Sequence, residues 1–439
     1  MPLLLEGLTI LDLTRLLPGP YGTMLLADLG AEVVKVEEPE VGDYAREFSP
    51  SVGGEGALFQ AVNRNKKSLA VNLKAEAGKT VFRRLCAAAD VVVEQFRPGV
   101  MDRLGLGFEA LRATNPRLVY CALTGYGQDG PYRDRVGHDI NYIASGGILG
   151  ITGAEGGPPV LPGVQIADLS GGMTVAFGIV AALLARERTG EGRFVDVAML
   201  DTVVSWLSLP AAVFGASGDV PKRGRFFLSG GLPGYQVYET KDGGYITVGA
   251  LEAKFWRNLC LALGREDLIP FAEPDDAKGR EVRAELARIF RSRTRAEWVE
   301  RLSQAEVCFA PVNDLAETFA DPQVLHRGML AEVPLPDGTI MALPGTPLHL
   351  SSGARTRHEP PPVLGQHTGA LLLRAGYSAE EMPDGTIMAL PGTPLHLSSG
   401  ARTRHEPPPV LGQHTGALLL RAGYSAGEIA AMRAAAVIR

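Results

Sequence analysis

Cysteine is scarce. The 439-residue sequence holds four, Cys86, Cys121, Cys260 and Cys308, and none stand at CxxC or CxxH spacing. That argues against a disulfide scaffold and a finger-type zinc site, so no metal is expected, and it fits a reducing, cytoplasmic setting. Uninterrupted apolar runs are missing too. The longest are broken by Gly, Asp or Arg short of a membrane span, so no membrane partner is expected. The N-terminus, MPLLLEGLTILDLT, carries Glu6 and Asp12 and lacks the basic stretch of a signal peptide. Nor is positive charge concentrated anywhere. The net charge is −6 with basic residues dispersed, so nucleic acid is not an expected partner. What is present is a globular composition, 46% hydrophobic and 21% charged. A chain this long can bury a large core without disulfides or metals.

Pro336–Ala379 recur without one change as Pro383–Ala426, an offset of 47 residues. The tandem duplication is 336–382 followed by 383–429, and without it the chain would have 439 − 47 = 392 residues. Solenoid units diverge while keeping a packing pattern, and at least three normally stack. Packing does not demand 44 identical residues in two copies. One copy is therefore expected to fill the native position and the other to be surplus. The turn Pro336-Asp337-Gly338 follows a strand, Ala331–Leu335, whereas the second turn follows Glu380-Glu381-Met382. The first copy's hairpin and the last copy's helix, Ala426–Ala436, are expected to be native, with the excess between them.

The first half alternates strand and helix signals. Strands are expected at Leu8–Leu13, Glu32–Glu37, Asp90–Glu94, Leu118–Leu123 and Phe194–Ala198. Helices are expected at Pro20–Leu29, Ala77–Ala89, Gly99–Thr114, Leu169–Arg188 and Thr202–Val213. Short apolar runs between amphipathic helices are the pattern of buried parallel strands, so the fold class is α/β with a Rossmann-like sheet. A hairpin (Tyr235–Glu239, Tyr245–Val248) and helices near Glu252–Leu263 and Asp276–Ser292 suggest a smaller α+β domain. The expected organisation is a large domain at 1–200, a linker at 201–233, a small domain at 234–320 and a return to the large domain at 321–439. A dinucleotide reading fails at the first strand-to-helix turn, Thr14-Arg15-Leu16-Leu17-Pro18-Gly19-Pro20. It is not GxGxxG, and its prolines remove donors a pyrophosphate would need, although Glu37 stands where a ribose-binding acid would.

Several residues could carry chemistry. His138 and Asp139 lie in Gly137-His138-Asp139-Ile140-Asn141-Tyr142, before the Gly-rich Ala144-Ser145-Gly146-Gly147. The alternative is a capped helix start. Asp168 precedes Leu169-Ser170-Gly171-Gly172. It is either a helix cap or a carboxylate beside N–H groups that could hold an oxyanion, with the glycines letting a substrate approach. Glu252 stands at another helix start. Lys66, Lys67, Lys74, Arg97 and Arg103 sit near element ends, where they could meet a diphosphate or simply be solvated.

The motifs together resemble the class III CoA-transferase (CaiB/BaiF) family, which also contains α-methylacyl-CoA racemase. They are Pro18-Gly19-Pro20, Leu29 to Glu37 (LGAEVVKVE), Asn63 to Ser68 (NRNKKS), Phe96-Arg97-Pro98-Gly99 with Arg103-Leu104-Gly105, and Thr124-Gly125-Tyr126-Gly127. Ile166-Ala167-Asp168, Thr189-Gly190-Glu191-Gly192 and the closing Val410-Leu411-Gly412-Gln413-His414-Thr415 complete the set.

The resemblance implies an acyl-CoA substrate, with CoA part of the substrate and no separate cofactor. It also implies an interlocked homodimer of a Rossmann-like large domain with a small inserted domain. Asp168 matches the catalytic aspartate, a nucleophile in transferases and an acid/base group in racemases. The racemases' second group is a histidine 30 positions earlier, which here is His138, and Glu252 matches the glutamate that supports it. Asp139 is taken with this catalytic set. Val71, Asn72, Leu73, Lys74, Gln95, Phe96, Arg97, Arg103, Arg135, Gly137 and Tyr142 are the implied CoA-binding positions. The implied reaction is inversion at the α-carbon of a 2-methyl-branched acyl-CoA. The alternative is CoA transfer to a carboxylate through an aspartyl-CoA thioester. Three positions depart from the family. Glu38 replaces a CoA-binding arginine, which leaves Arg46, Lys74, Arg97 or Arg103 to hold that end. Gln95 stands where some relatives have asparagine, and Leu17 replaces a transferase glutamine.

Overall fold

The computed structural model describes residues 3–274, 276–335, 337–349 and 358–377, together with 425–427 and 430. Packing divides the chain into two compact units, one of Met1–Val136, Ala167–Thr202 and Met329–Arg439, the other of Gly137–Ile166 and Val203–Gly328. Five helices recur below: α1 (Pro18–Asp28), α2 (Glu76–Ala88), α3 (Asp139–Ser145), α4 (Ile166–Thr189) and α5 (Ala253–Leu263).

The first unit is built on six strands, β1 (Thr9–Asp12), β2 (Glu32–Glu37), β3 (Lys66–Ala70), β4 (Val91–Glu94), β5 (Val119–Thr124) and β6 (Phe194–Ala198). Their order is β3-β2-β1-β4-β5-β6 and every adjacent pair is parallel. Ile10, Val33, Val91, Val92 and Val93 are buried, as expected of strands covered on both faces. The order reverses between β1 and β4, so the crevice beyond their C-terminal ends is where such a sheet places a ligand. β3 is not among the expected strands, because it opens with Lys66 and Lys67 instead of an apolar run.

α1 starts with Pro18, whose missing N–H costs nothing at a first helical position. It crosses α4 at glycines. A Cβ on Gly22 would lie 2.4 Å from the Gly172 carbonyl oxygen, and one on Gly172 would lie 2.4 Å from the Pro18 carbonyl oxygen. The two backbones therefore touch, which brings the first turn of α4 beside the β1–α1 turn. This corrects the reading of Gly171 and Gly172 as room for a substrate, since a Cβ on Gly171 would meet Met199. The expected helix at 99–114 is split into Val100–Arg103 and Phe108–Arg112, with Gly105 in a left-handed conformation between them (φ 69°). α4 is long and apolar enough by composition to cross a membrane, contrary to the expectation from its interruptions. Its buried face, including Ala167, Val175, Ile179 and Leu183, packs within the first unit.

The second unit carries the antiparallel strands β7 (Tyr235–Glu239), β8 (Tyr245–Gly249) and β9 (Phe309–Pro311), with β8 central. Its core joins Tyr238, Ile246, Trp256, Leu286, Phe290 and Trp298. The division differs from the expected boundaries at 137–166 and 201–233. Arg223 donates to the carbonyls of Gly150 and Gly157, and Arg283 reaches Glu155, so 137–166 packs with 203–328 and the presumed linker is part of the unit.

Back in the first unit, β10 (Leu330–Pro334) and β11 (Ile340–Pro344) form the hairpin of the first repeat copy. The same copy then seals the β3 edge. His367 Nδ1 accepts from the Ser68 N–H (3.2 Å), Thr368 Oγ1 accepts from the Ala70 N–H (3.0 Å) and the Gly365 N–H donates to Ser68 Oγ (2.9 Å). Burial, with Lys67 nearby, lowers the His367 pKa and favours the neutral ring that accepting requires. The motif match placed this segment at 410–415, but the docked sequence is Val363 to Thr368. Loop closure gives a reason. From Pro344 the chain reaches His358 in 14 residues and the identical His405 in 61, a difference of about 1.3 kcal/mol in closure entropy. The helix expected at Ala426–Ala436, like most of the second copy, lies outside the described residues. Deleting residues 336–382 is therefore expected to leave the melting temperature within about 3 °C of the parent. A fall of more than about 10 °C would show that the fold uses both copies.

Candidate active site

The β1–α1 turn stands on a buried ionic floor. Lys66 Nζ donates to Asp12 Oδ2 (3.0 Å), Thr23 Oγ1 (2.8 Å), Asn63 Oδ1 (2.9 Å) and the Pro20 carbonyl (2.9 Å). Lys35 pairs with Asp43 at 2.8 Å and donates to the Thr14 carbonyl at 2.8 Å. Burial pushes Asp12 up, but Lys66, Lys35 and the hydroxyls of Thr14 and Thr23 outweigh it and hold its pKa at about 2. Burial pulls Lys66 down further than Asp12 restores, and Lys35 adds repulsion, to about 8. The two shifts oppose each other for one pair. Four acceptors around Nζ favour the charged lysine at neutral pH. Lys66 is thus spent inside the fold and cannot meet a diphosphate. Arg46 is spent too, fork-bonded to Glu37 (2.8 and 2.7 Å), paired with Glu55 and donating to the Pro362 carbonyl. Glu37 also accepts from Ser68 Oγ, so the acid that could have held a ribose is fully used.

On this floor Leu16 takes a left-handed conformation (φ 64°), a strain of about 1–3 kcal/mol for a non-glycine residue. Its N–H is held by both Asp43 carboxylate oxygens, at 3.0 and 3.2 Å. The neighbouring Arg15 guanidinium lies 5.0 Å from the Phe96 ring centre and 5.2 Å from that of Tyr44. Arg15 and Tyr44 were not singled out in the sequence. The unusual turn between two prolines and β1 was the available signal.

Three stretches of the implied CoA set gather beyond the C-terminal ends of β3 and β4. Val71 is buried, Asn72 Oδ1 accepts the Lys74 N–H, Leu73 packs on the core edge and Lys74 is exposed. Past β4, Gln95 and Phe96 are half-buried while Arg97 and Arg103 are exposed. Gln95 Oε1 is a buried acceptor with no hydrogen-bond donor among the described residues, an atom suited to a ligand N–H. Glu94 anchors this turn by accepting the Phe96 N–H at 2.6 Å. Burial raises its carboxyl to about 8, against that hydrogen bond and with Asp102 and Asp196 adding repulsion. Arg135, exposed, lies over the Tyr132 ring at 3.6 Å.

Asp168 is half-buried in the first turn of α4, which begins two residues before it. It is therefore inside the helix and not its cap. The glycine crossing places this turn on the same side of the first unit as Pro18. His138, Asp139, Gly137, Tyr142 and Glu252 belong to the second unit. His138 caps α3 in extended conformation, its N–H held by Asn141 Oδ1 at 3.0 Å and its ring exposed. Tyr142 is buried and donates its hydroxyl to the Gly137 carbonyl at 2.7 Å, so it fixes the turn that carries His138. Asp139 is the first residue of α3, and Glu252 caps α5 with its side chain exposed. A hollow of 370 Å³ lined by Phe108, Arg112 and Phe194 opens at the N-terminal end of β6, the opposite end of the sheet, and holds none of these candidates.

Comparison with known proteins identifies the family. The family model described as CoA-transferase family III matches residues 5–368. A succinyl-CoA:glutarate CoA-transferase of Mus musculus is 40% identical over 379 residues, 84% of this chain and 85% of that protein. An α-methylacyl-CoA racemase of Homo sapiens is 35% identical over 380 residues, 86% of this chain and 95% of that protein. The crystal structure of a CaiB/BaiF family protein from Brucella suis superposes with a TM-score of 0.75 at 35% identity, covering 85% of this chain and 100% of that one. With the family model matched over residues 5–368 and these relatives over more than four-fifths of its length, the chain belongs to CoA-transferase family III and is an enzyme of that family.

Proposed function

We propose that the protein is an acyl-CoA racemase or epimerase that inverts the α-carbon of 2-methyl-branched acyl-CoA thioesters. One observation carries the reading. The two acid–base residues and the supporting glutamate each stand at a helix N-terminus, His138 and Glu252 as caps and Asp168 in a first turn. Such positions favour a carboxylate and offer N–H groups to an enolate oxygen. Inversion needs a base on one face of the α-carbon and an acid on the other. An imidazole and a carboxyl can exchange those roles, so either epimer serves as substrate. Glu252 supports the imidazolium, and Asp139 completes the His138 turn. Val71 to Lys74, Gln95 to Arg97, Arg103, Arg135, Gly137 and Tyr142 hold the CoA portion. CoA enters with the substrate and no other cofactor is invoked.

A second reading, CoA transfer, has its own support in the similarity to succinyl-CoA:glutarate CoA-transferase. There the Asp168 carboxylate attacks the thioester carbonyl, releasing CoA thiolate and leaving a mixed anhydride. The thiolate then attacks the aspartyl carbonyl, freeing the first acid and leaving an aspartyl-CoA thioester for the acceptor carboxylate.

The working form in this proposal is an interlocked homodimer in the cytoplasm. α4 supports a second copy of the chain. Met173, Phe177, Val180 and Leu184 repeat along one of its faces and are exposed, Phe177 by 75%.

Incubating the protein with an (S)-2-methylacyl-CoA in deuterated water tests the reaction. The expected result is deuterium at the α-carbon and appearance of the (R) epimer without an acceptor. No exchange, with acceptor-dependent CoA movement and hydroxylamine trapping at Asp168, would replace racemisation by transfer.

A further inference from the structure

We infer that Arg15, steadied by Tyr44 and Phe96, recognises an anionic oxygen group at the far end of the acyl chain, so that the preferred substrate is a CoA thioester bearing a second carboxylate. The inference deepens the proposed function and holds for either reaction, because it concerns what is bound.

The argument begins with charge matching. Every neighbouring cation of the β1–α1 floor faces a carboxylate: Lys35 with Asp43, Arg46 with Glu37, Arg64 with Asp28 and Lys66 with Asp12. Arg15 faces none among the described residues. Among those residues its one hydrogen bond runs from Nη1 to the neutral Tyr44 hydroxyl at 3.0 Å. A half-buried guanidinium that lacks an anion in a region where all its neighbours have one is poised for an anion from outside.

Position narrows the choice. Arg15 is three residues past the end of β1, at the point where the strand order reverses, and it lies over Phe96 from the end of β4. The strained Leu16 next to it is pinned by Asp43, which fixes the backbone from which the Arg15 side chain projects. The rings of Phe96 and Tyr44 flank the guanidinium at 5.0 and 5.2 Å, and with Nη1 bonded to the Tyr44 hydroxyl the other N–H groups have no acceptor among the described residues. A planar carboxylate takes two such donors at once.

A CoA phosphate offers the same oxygens, and binding measurements separate the two sources. Calorimetry would compare the parent with Arg15→Met against free CoA, a straight-chain acyl-CoA ending in a carboxylate, and the same thioester ending in a carboxamide. Arg15→Met is expected to weaken the carboxylate ligand about 10- to 100-fold and the other two by less than about 3-fold. Tyr44→Phe, which keeps the ring, is expected to weaken only the carboxylate ligand, about 3-fold or more. Equal losses on all three ligands would overturn the proposal and assign Arg15 to a CoA phosphate. Unchanged affinity for the carboxylate ligand in both variants would overturn it outright. If Arg15→Met lowers the melting temperature by more than about 10 °C, Tyr44→Phe decides alone. Because the readout is affinity, it stands apart from the deuterium-exchange result.

Discussion

Asp168→Ala and His138→Ala are each expected to cut racemisation by about 10²- to 10⁴-fold, and to differ in what they leave behind. If the proposed racemisation holds, with one base for each face of the α-carbon, removing either leaves the other able to exchange the proton of the epimer it faces. Each variant should therefore wash deuterium into one epimer without inverting it, and the two should choose opposite epimers. The double variant should do neither. Proton NMR of each pure epimer in deuterated water reads this directly. Neither change should unfold the protein. The His138 turn is held by Asn141 Oδ1 on the His138 N–H and by the Tyr142 hydroxyl on the Gly137 carbonyl, and α4 is anchored by its glycine contact with Pro18 and Gly22. Should His138→Ala retain full CoA-linked turnover while Asp168→Ala abolishes it, the aspartyl thioester becomes the working intermediate.

Lys66→Met is expected to destabilise the protein by about 3–5 kcal/mol, the usual cost of removing one partner of a buried pair. The side chain is fully buried and satisfies four acceptors, including the equally buried Asp12 carboxylate. Methionine fills the volume but leaves those oxygens without a donor. Urea denaturation at pH 7 measures the loss, and a value below about 1 kcal/mol would show that Lys35 alone compensates Asp12. The acid limb provides a second check. Asp12 titrates near 2 in the fold against an ordinary 3.8, so its contribution is complete above about pH 4 and is lost as the pH falls through about 2. Removing Lys66 takes away its nearest cation, and acid unfolding should begin at higher pH.

The sheet was legible where apolar runs announce buried strands. Glu32–Glu37 and Phe194–Ala198 have the expected bounds, and the helix signals on either side match α1 and α2 within two residues. β3 was hidden because its first two residues are lysines, and only a carboxylate arriving from β1 makes Lys66 tolerable inside. The same long-range pairing explains the mistaken hopes for Lys66 and Arg46 as ligands, since sequence shows a charge but not the partner that consumes it. Asp168, His138 and Glu252 are assigned through the family resemblance, and what the structure adds is that each stands at a helix start. Arg15 was not legible, because what distinguishes it is a missing partner.

The sealed edge of β3 also sets an order of events in synthesis. Ser68 and the histidine that caps it are 299 residues apart. At 5–20 residues per second, the ribosome needs roughly 15–60 s to deliver His367 after Ser68 has emerged. During that interval β3 presents open N–H groups on which another strand could template. Such long-range closure is also slow in its own right. Nascent chains of this protein are thus exposed to edge-to-edge association until their last described helix is made, and strains limited in chaperones should accumulate it as aggregates of incomplete chains shorter than about 370 residues.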